Sequence, residues 1–161
     1  MRHALSQLFD IPLSDWQFIN TDRAAPIISN LPQNTYFSLS HSNGFICFIA
    51  SPEPVGIDTE NLSRERRYFE AAELFMSDEE INTLKSESKT MVKTNFYRVW
   101  CAKEAYFKAS TINYLFELKD INIIDLLNNT NEWHLMEQYI EQHLISIVSK
   151  NKTYPVIQHW L

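Results

Sequence analysis

Residues 36–60 read YFSLSHSNGFICFIASPEPVGIDTE, and the fold class turns on this stretch. Tyr36 to His41 alternates apolar and polar side chains, the two-residue period of a strand with one buried face. Phe45 to Ala50 is a continuous apolar run, suited to a strand buried on both faces rather than to a short helix. Ser51 to Pro54 is a proline-flanked turn, and Val55 to Glu60 resumes as a strand.

Downstream the period changes. Arg67 to Phe75 carries aromatic and aliphatic residues at helical spacing. Ser77 reads as an N-cap, and Glu80 three residues on completes a capping box for a helix over Asp78 to Leu84. Lys85 to Thr90 is polar and loose. Val92 to Ala109 is the longest periodic segment, with Phe96, Val99 or Trp100, and Phe107 along one stripe. Strands are then expected at Ile121 to Ile124, Trp133 to Ile140 and His143 to Ser149. Upstream, Ala4 to Phe9 reads as the end of an amphipathic helix stopped before Pro12, Asp15 to Ile19 as an extended piece, and Arg23 to Gln33 as a loop. Strands, then helices, then strands, without regular alternation, predict an α+β fold with an antiparallel sheet against the long helix. No repeat or internal linker is visible, so residues 1–161 are expected to form one domain.

Composition narrows the function. The net charge is −6, which argues against nucleic acid or an anionic membrane as principal partner, although Arg64, Arg66 and Arg67 form a local basic group. No run approaches the roughly 18 apolar residues of a membrane span, and no signal peptide opens the chain. Cys47 and Cys101 have neither metal-ligand nor disulfide-framework spacing, and both read as small buried side chains in a reducing compartment. The expected location is therefore cytoplasmic. Only two glycines, Gly44 and Gly56, are present. A phosphate-cradling P-loop, a G-x-G-x-x-G turn and a G-x-S-x-G elbow each need at least two close together, so all three are excluded.

Two charged pairs carry the candidate chemistry. Asp58 and Glu60 share one face of their strand, where two carboxylates repel each other unless a cation lies between them. Magnesium takes one or two such carboxylates and completes its shell with water and substrate phosphates. Glu104 and Lys108 lie four apart on one helix face, with Trp100 one turn earlier and Lys103 adjacent. Taken singly, the first pair also reads as a solvated strand end and the second as an ordinary surface ion pair. His41 sits between Ser40 and Ser42 at a strand end, where hydroxyl and imidazole donors together suit a phosphate.

FSLSHS (Phe37 to Ser42), VGIDTE (Val55 to Glu60) and WCAKEAYFKA (Trp100 to Ala109) together resemble the three signature motifs of 4′-phosphopantetheinyl transferases of the longer, surfactin-synthetase (Sfp) type. The similarity runs from about Leu5 to near the C-terminus. It implies an enzyme that moves phosphopantetheine from coenzyme A to a serine of an apo acyl or peptidyl carrier protein, releasing 3′,5′-ADP. By motif, Asp58, Glu60 and Glu104 would hold Mg2+. His41 with Ser40 would contact the 3′-phosphate, and Lys103 and Lys108 would add cationic contacts to the coenzyme. Lys108 would neutralise or protonate the leaving phosphate, and Glu104 or a metal-bound water would take the serine proton. Trp100 would pack behind the site, and Arg64, Arg66, Arg67 and Arg98 would face the acidic carrier.

The chain departs from that pattern in three places. It corresponds to the second of two similar halves, with Arg2 to Leu5 resembling the helix just before it, so a homo-oligomer is expected to supply the other half. Ala24-Ala25-Pro26 replaces a Gly-Lys-Pro, and Ser110 to Tyr114 replaces a glycine-containing loop. The alternative reading is a truncated or degenerate relative that binds magnesium, coenzyme A or a carrier protein without turnover.

Overall fold

A computed structural model describes residues 1–20, 26–110, 117–127 and 132–150. Helix α1 spans Arg2–Phe9 and a 3-10 turn Leu13–Asp15. Strands β1 (Phe18–Ile19) and β2 (Ile27–Ile28) form a small antiparallel pair, so the expected loop after Arg23 contains a strand. Ala24 and Ala25 lie outside the described residues.

Strands β3 (Tyr36–Ser42) and β4 (Phe45–Ser51) form a hairpin in the register Ser42↔Phe45. Its two turn residues are Asn43 and Gly44, both at positive φ (48° and 83°), the twist-compatible two-residue turn that Asn-Gly favours. The two-faced burial expected for Phe45 to Ala50 does not hold. Ile46 is 67% exposed and only Cys47 of this strand is fully buried, because β4 is the outer strand of the hairpin.

Strand β5 (Val55–Asn61) opens the helical section, followed by α2 (Tyr68–Ala72), α3 (Asp78–Ser86) and α4 (Lys89–Ala109). The capping box is formed in both directions: Glu80 N–H donates to Ser77 Oγ and Ser77 N–H to Glu80 Oε2. The polar stretch Lys85 to Thr90 is largely helical, leaving only Glu87 and Ser88 between α3 and α4. The strand expected at Ile121 to Ile124 is absent. A 3-10 turn (Leu118–Asp120) precedes this segment, and a short helix, α5 (Ile124–Leu127), begins at its end. Ile123 N–H is taken by the Glu80 carboxylate at 3.0 Å instead of a ladder partner.

Strands β6 (His134–Ile140) and β7 (His143–Ser149) complete an antiparallel sheet of order β5-β7-β6. Helix α4 lies across it. Gly56 is the point of contact: a Cβ there would stand 1.9 Å from Ala105 O and 2.6 Å from Ala109 N. Helix and strand meet backbone to backbone, which is why the helix offers alanines at Ala105 and Ala109. The buried stripe of α4 thus includes small residues beside Phe96, and Phe107 is only half-buried. Phe75, Phe96 and Trp100 fill the space between α4 and α2/α3, with Phe75 and Trp100 edge to face at 4.5 Å. No helix among the described residues is long and apolar enough to cross a membrane.

The hairpin joins this sheet through side chains. Ser38, Ser40 and Ser42 alternate along one face of β3, and their hydroxyls accept the N–H groups of Ile57 (3.1 Å), Thr59 (3.2 Å) and Asn61 (3.1 Å). These are the N–H groups on the β5 edge that faces away from β7.

Candidate active site

Gly56, Asp58 and Glu60 share the face of β5 that meets α4. The close approach at Gly56 therefore brings the carboxylates of the strand up to Glu104 and Lys108 of the helix. Asp58 is no solvated strand end: its side chain is 8% exposed. Oδ1 accepts from Lys108 Nζ at 2.7 Å and from Ser40 Oγ at 2.8 Å, while Oδ2 is buried without a partner. Lys108 also donates to Ile57 O at 3.1 Å, so its ion pair runs across to the sheet and not along the helix to Glu104. Glu60 accepts from Ser42 Oγ at 3.1 Å, and Arg66 stands 3.9 Å from its other oxygen.

Glu104 is half-buried in the same place. Burial, then the Asp58 charge and more weakly Glu60, raise its carboxyl above the usual range, while Lys108 opposes the shift. The Cys101 thiol, one turn earlier and fully buried, is pushed well up by burial and by the same two carboxylates. It is a buried side chain, as expected from the sequence, and its hydrogen bond with Asp58 adds to the rise.

Two expected contacts need correction. Lys103 does not face this site. It lies about 100° round the helix from Glu104, and its ammonium is fully buried against Glu80 Oε2 at 2.6 Å, Phe75 O at 3.0 Å and Leu118 O at 2.9 Å. All three of its donors are spent, and burial pulls its pKa below the usual lysine value. Ser40 and His41 do not form one donor cluster either. Strand alternation turns Ser40 inward to Asp58 and leaves His41 exposed on the opposite face.

The arginines divide. Arg98 is held by Glu137 through three bonds of 2.6–2.9 Å. Arg66 lies over the Trp100 ring at 6.0 Å and donates to Tyr97 Oη, while Trp100 packs edge to face on Phe75. Arg67 pairs with Glu70 at the surface. Arg64 lines a polar recess with Ser42, Asn43, Asn61 and Ser63 beside Glu60. Ser42, read from the sequence only as a phosphate donor beside His41, instead donates to Glu60, a contact that the period-two Ser38-Ser40-Ser42 was there to signal.

Two strand carboxylates with a third from the helix, one buried oxygen lacking a partner, and a lysine already neutralising part of the charge fit a hard divalent cation. No group of three or more His, Cys, Asp or Glu side chains that could by themselves hold a metal ion is present among the described residues. Magnesium needs none, because it keeps waters and takes substrate phosphates in place of protein ligands.

A sequence model of the 4′-phosphopantetheinyl transferase superfamily matches residues 54–157. The chain is 29% identical over 108 residues to 4′-phosphopantetheinyl transferase Sfp of Bacillus subtilis (strain 168), covering 67% of this chain and 47% of that protein. It is 28% identical over 108 residues to 4′-phosphopantetheinyl transferase psf-1 of Bacillus pumilus, covering 67% of this chain and 45% of that protein. With 4′-phosphopantetheinyl transferase HetI of Nostoc (strain PCC 7120) it shares 25% over 158 residues, 92% of this chain and 66% of that protein. The chain thus spans about half the length of its Bacillus relatives. The match begins just before β5 and takes in both carboxylate-bearing elements, so the chain belongs to the 4′-phosphopantetheinyl transferase superfamily.

Proposed function

We propose that this chain transfers 4′-phosphopantetheine from coenzyme A to a serine of an apo acyl or peptidyl carrier protein, with Mg2+ held by Asp58, Glu60 and Glu104. One observation carries the reading: Lys108 of α4 holds Asp58 Oδ1 at 2.7 Å and leaves Oδ2 buried and unpartnered, with the Asp58 and Glu60 charges bearing on Glu104 of the same helix. Bound magnesium supplies neutralisation of the pyrophosphate oxygens. The carrier serine Oγ attacks the β-phosphorus, the bond from that phosphorus to the bridging oxygen breaks, and 3′,5′-ADP leaves. Glu104, beside the metal, takes the serine proton. Lys108, fixed beside Asp58, places its ammonium where charge grows on the leaving group. Exposed His41 is the donor left for the 3′-phosphate, and the recess by Arg64 gives the acidic carrier a cationic contact. Coenzyme A and carrier proteins place the reaction in the cytoplasm, and a second copy of the chain completes the coenzyme side of the site.

Incubation with coenzyme A, Mg2+ and several apo carrier proteins is expected to add the mass of phosphopantetheine to at least one. Glu104→Gln is expected to cut transfer by about 10²–10⁴-fold, the usual contribution of a positioned base, with little change in thermal stability. Unchanged transfer removes Glu104 from the site, and a fully active strict monomer in sedimentation removes the second copy. The burial of Lys103, which withdraws one cation expected at the phosphates, favours a second reading: a relative that binds without turnover. That reading predicts coenzyme A binding with no mass increase on any carrier.

A further inference from the structure

We propose that Ser40 and Ser42 are positioning residues for the two strand carboxylates, each fixing one carboxylate oxygen so that the other is turned toward a bound cation. At Asp58 that other oxygen has no partner, and at Glu60 it stands 3.9 Å from Arg66. The inference rests on the metal reading above. A serine hydroxyl has one proton and two lone pairs. Thr59 N–H and Asn61 N–H can only donate, so each occupies a lone pair of Ser40 or Ser42 at 3.2 and 3.1 Å. The single proton is then directed to the carboxylate one residue back on β5: Ser40 to Asp58 Oδ1 at 2.8 Å, Ser42 to Glu60 Oε2 at 3.1 Å. The same unit, backbone N–H to serine oxygen and serine proton to carboxylate, occurs twice in succession. At Asp58 the result is visible: Oδ1 is occupied by Ser40 and Lys108, and Oδ2 is the atom without a partner. On this account the middle motif and the Ser-His-Ser strand form one construction, in which the serines serve the carboxylates and only His41 is free to face a ligand.

A third rung provides the control. Ser38 accepts Ile57 N–H at 3.1 Å in the same way, but the residue before Ile57 is Gly56, which has no carboxylate to hold. Loss of the Ser38 hydroxyl therefore removes the structural half of the unit without the positioning half.

The test is a titration of the whole chain with Mn2+ alone, read by water-proton relaxation, alongside melting curves. Outer-shell partners typically contribute about 10–100-fold to metal affinity. Ser40→Ala and Ser42→Ala are expected to weaken Mn2+ binding by about 10-fold or more, and Ser42→Thr, which keeps the hydroxyl, to restore it. Ser38→Ala is expected to lower the melting temperature comparably while leaving Mn2+ affinity within twofold. Wild-type affinity in Ser40→Ala and Ser42→Ala overturns the inference, as does equal weakening in all three alanine variants, which would mark the serines as structural only. Failure of the wild type to bind Mn2+, or undiminished binding by Glu104→Gln, overturns the metal reading itself and this inference with it.

Discussion

Gly56→Ala is expected to be among the most damaging single-methyl substitutions in the chain. The added carbon would meet two backbone atoms of α4, at 1.9 and 2.6 Å, and backbone cannot rotate away as a flexible side chain can. Strand and helix must separate by more than an ångström. Overpacking commonly costs 1–3 kcal/mol, and a rigid contact of this kind belongs at or above about 3 kcal/mol. For a chain of this size that is a fall in Tm on the order of 10 °C. Because Gly56 shares its face with Asp58 and Glu60, the displacement also carries both carboxylates away from Glu104, so transfer should fall further than stability accounts for. Gly44→Ala provides the contrast. Its Cβ meets nothing within 4 Å, and only the positive φ of 83° opposes it, at about 1–2 kcal/mol. Chemical denaturation of both variants separates the two costs; a Gly56→Ala protein as stable as Gly44→Ala would refute the close contact.

Lys103→Met is expected to have a comparable effect on stability by an electrostatic route. Lys103 and Glu80 are 0% and 1% exposed and 2.6 Å apart. Removing one member of such a pair leaves a buried charge and costs about 3–5 kcal/mol. Glu80 is also tied to Ser77 N–H and Ile123 N–H, so its carboxylate fastens the start of α3, the middle of α4 and the segment before α5 at one point. The double variant Lys103→Met with Glu80→Gln removes both charges while an amide oxygen can still accept a backbone N–H. It is expected to recover a substantial part of the loss. Urea denaturation of the singles and the double closes the cycle. If the two single effects simply add, the pair is not coupled and this account of Lys103 fails.

What the sequence disclosed followed the range of the interactions concerned. Alternation marked β3, and the Ser77–Glu80 capping box could be recognised because both partners lie within one turn. The bond from Glu80 to Lys103 crosses between helices and left no local trace. Lys103 was therefore assigned by its adjacency to Glu104, although one helical step turns the two to different sides. The Ile121 to Ile124 run was too short to distinguish strand from buried turn. Phe45 to Ala50 was read as two-faced because apolarity alone does not reveal that a strand lies on the outside of a hairpin. For Ser-His-Ser the strand period already separated Ser40 from His41; grouping them by donor chemistry concealed it. The carboxylate set itself was legible as chemistry, but its assembly depended on Gly56, a residue that reads from sequence only as an absence of side chain.

The three hydroxyls on the outer edge of β5 have a consequence for how the protein behaves in company. An open row of N–H groups at a sheet margin is a template on which a foreign strand, or the same strand of another molecule, can add. Here the row is already occupied by Ser38, Ser40 and Ser42, supplied by side chains of a hairpin that contributes no ladder of its own to that sheet. Beyond holding the carboxylates, the serines thus close the outer edge of β5 to a strand from another molecule, and a chain that lost all three would be exposed to aggregation as well as to loss of metal binding.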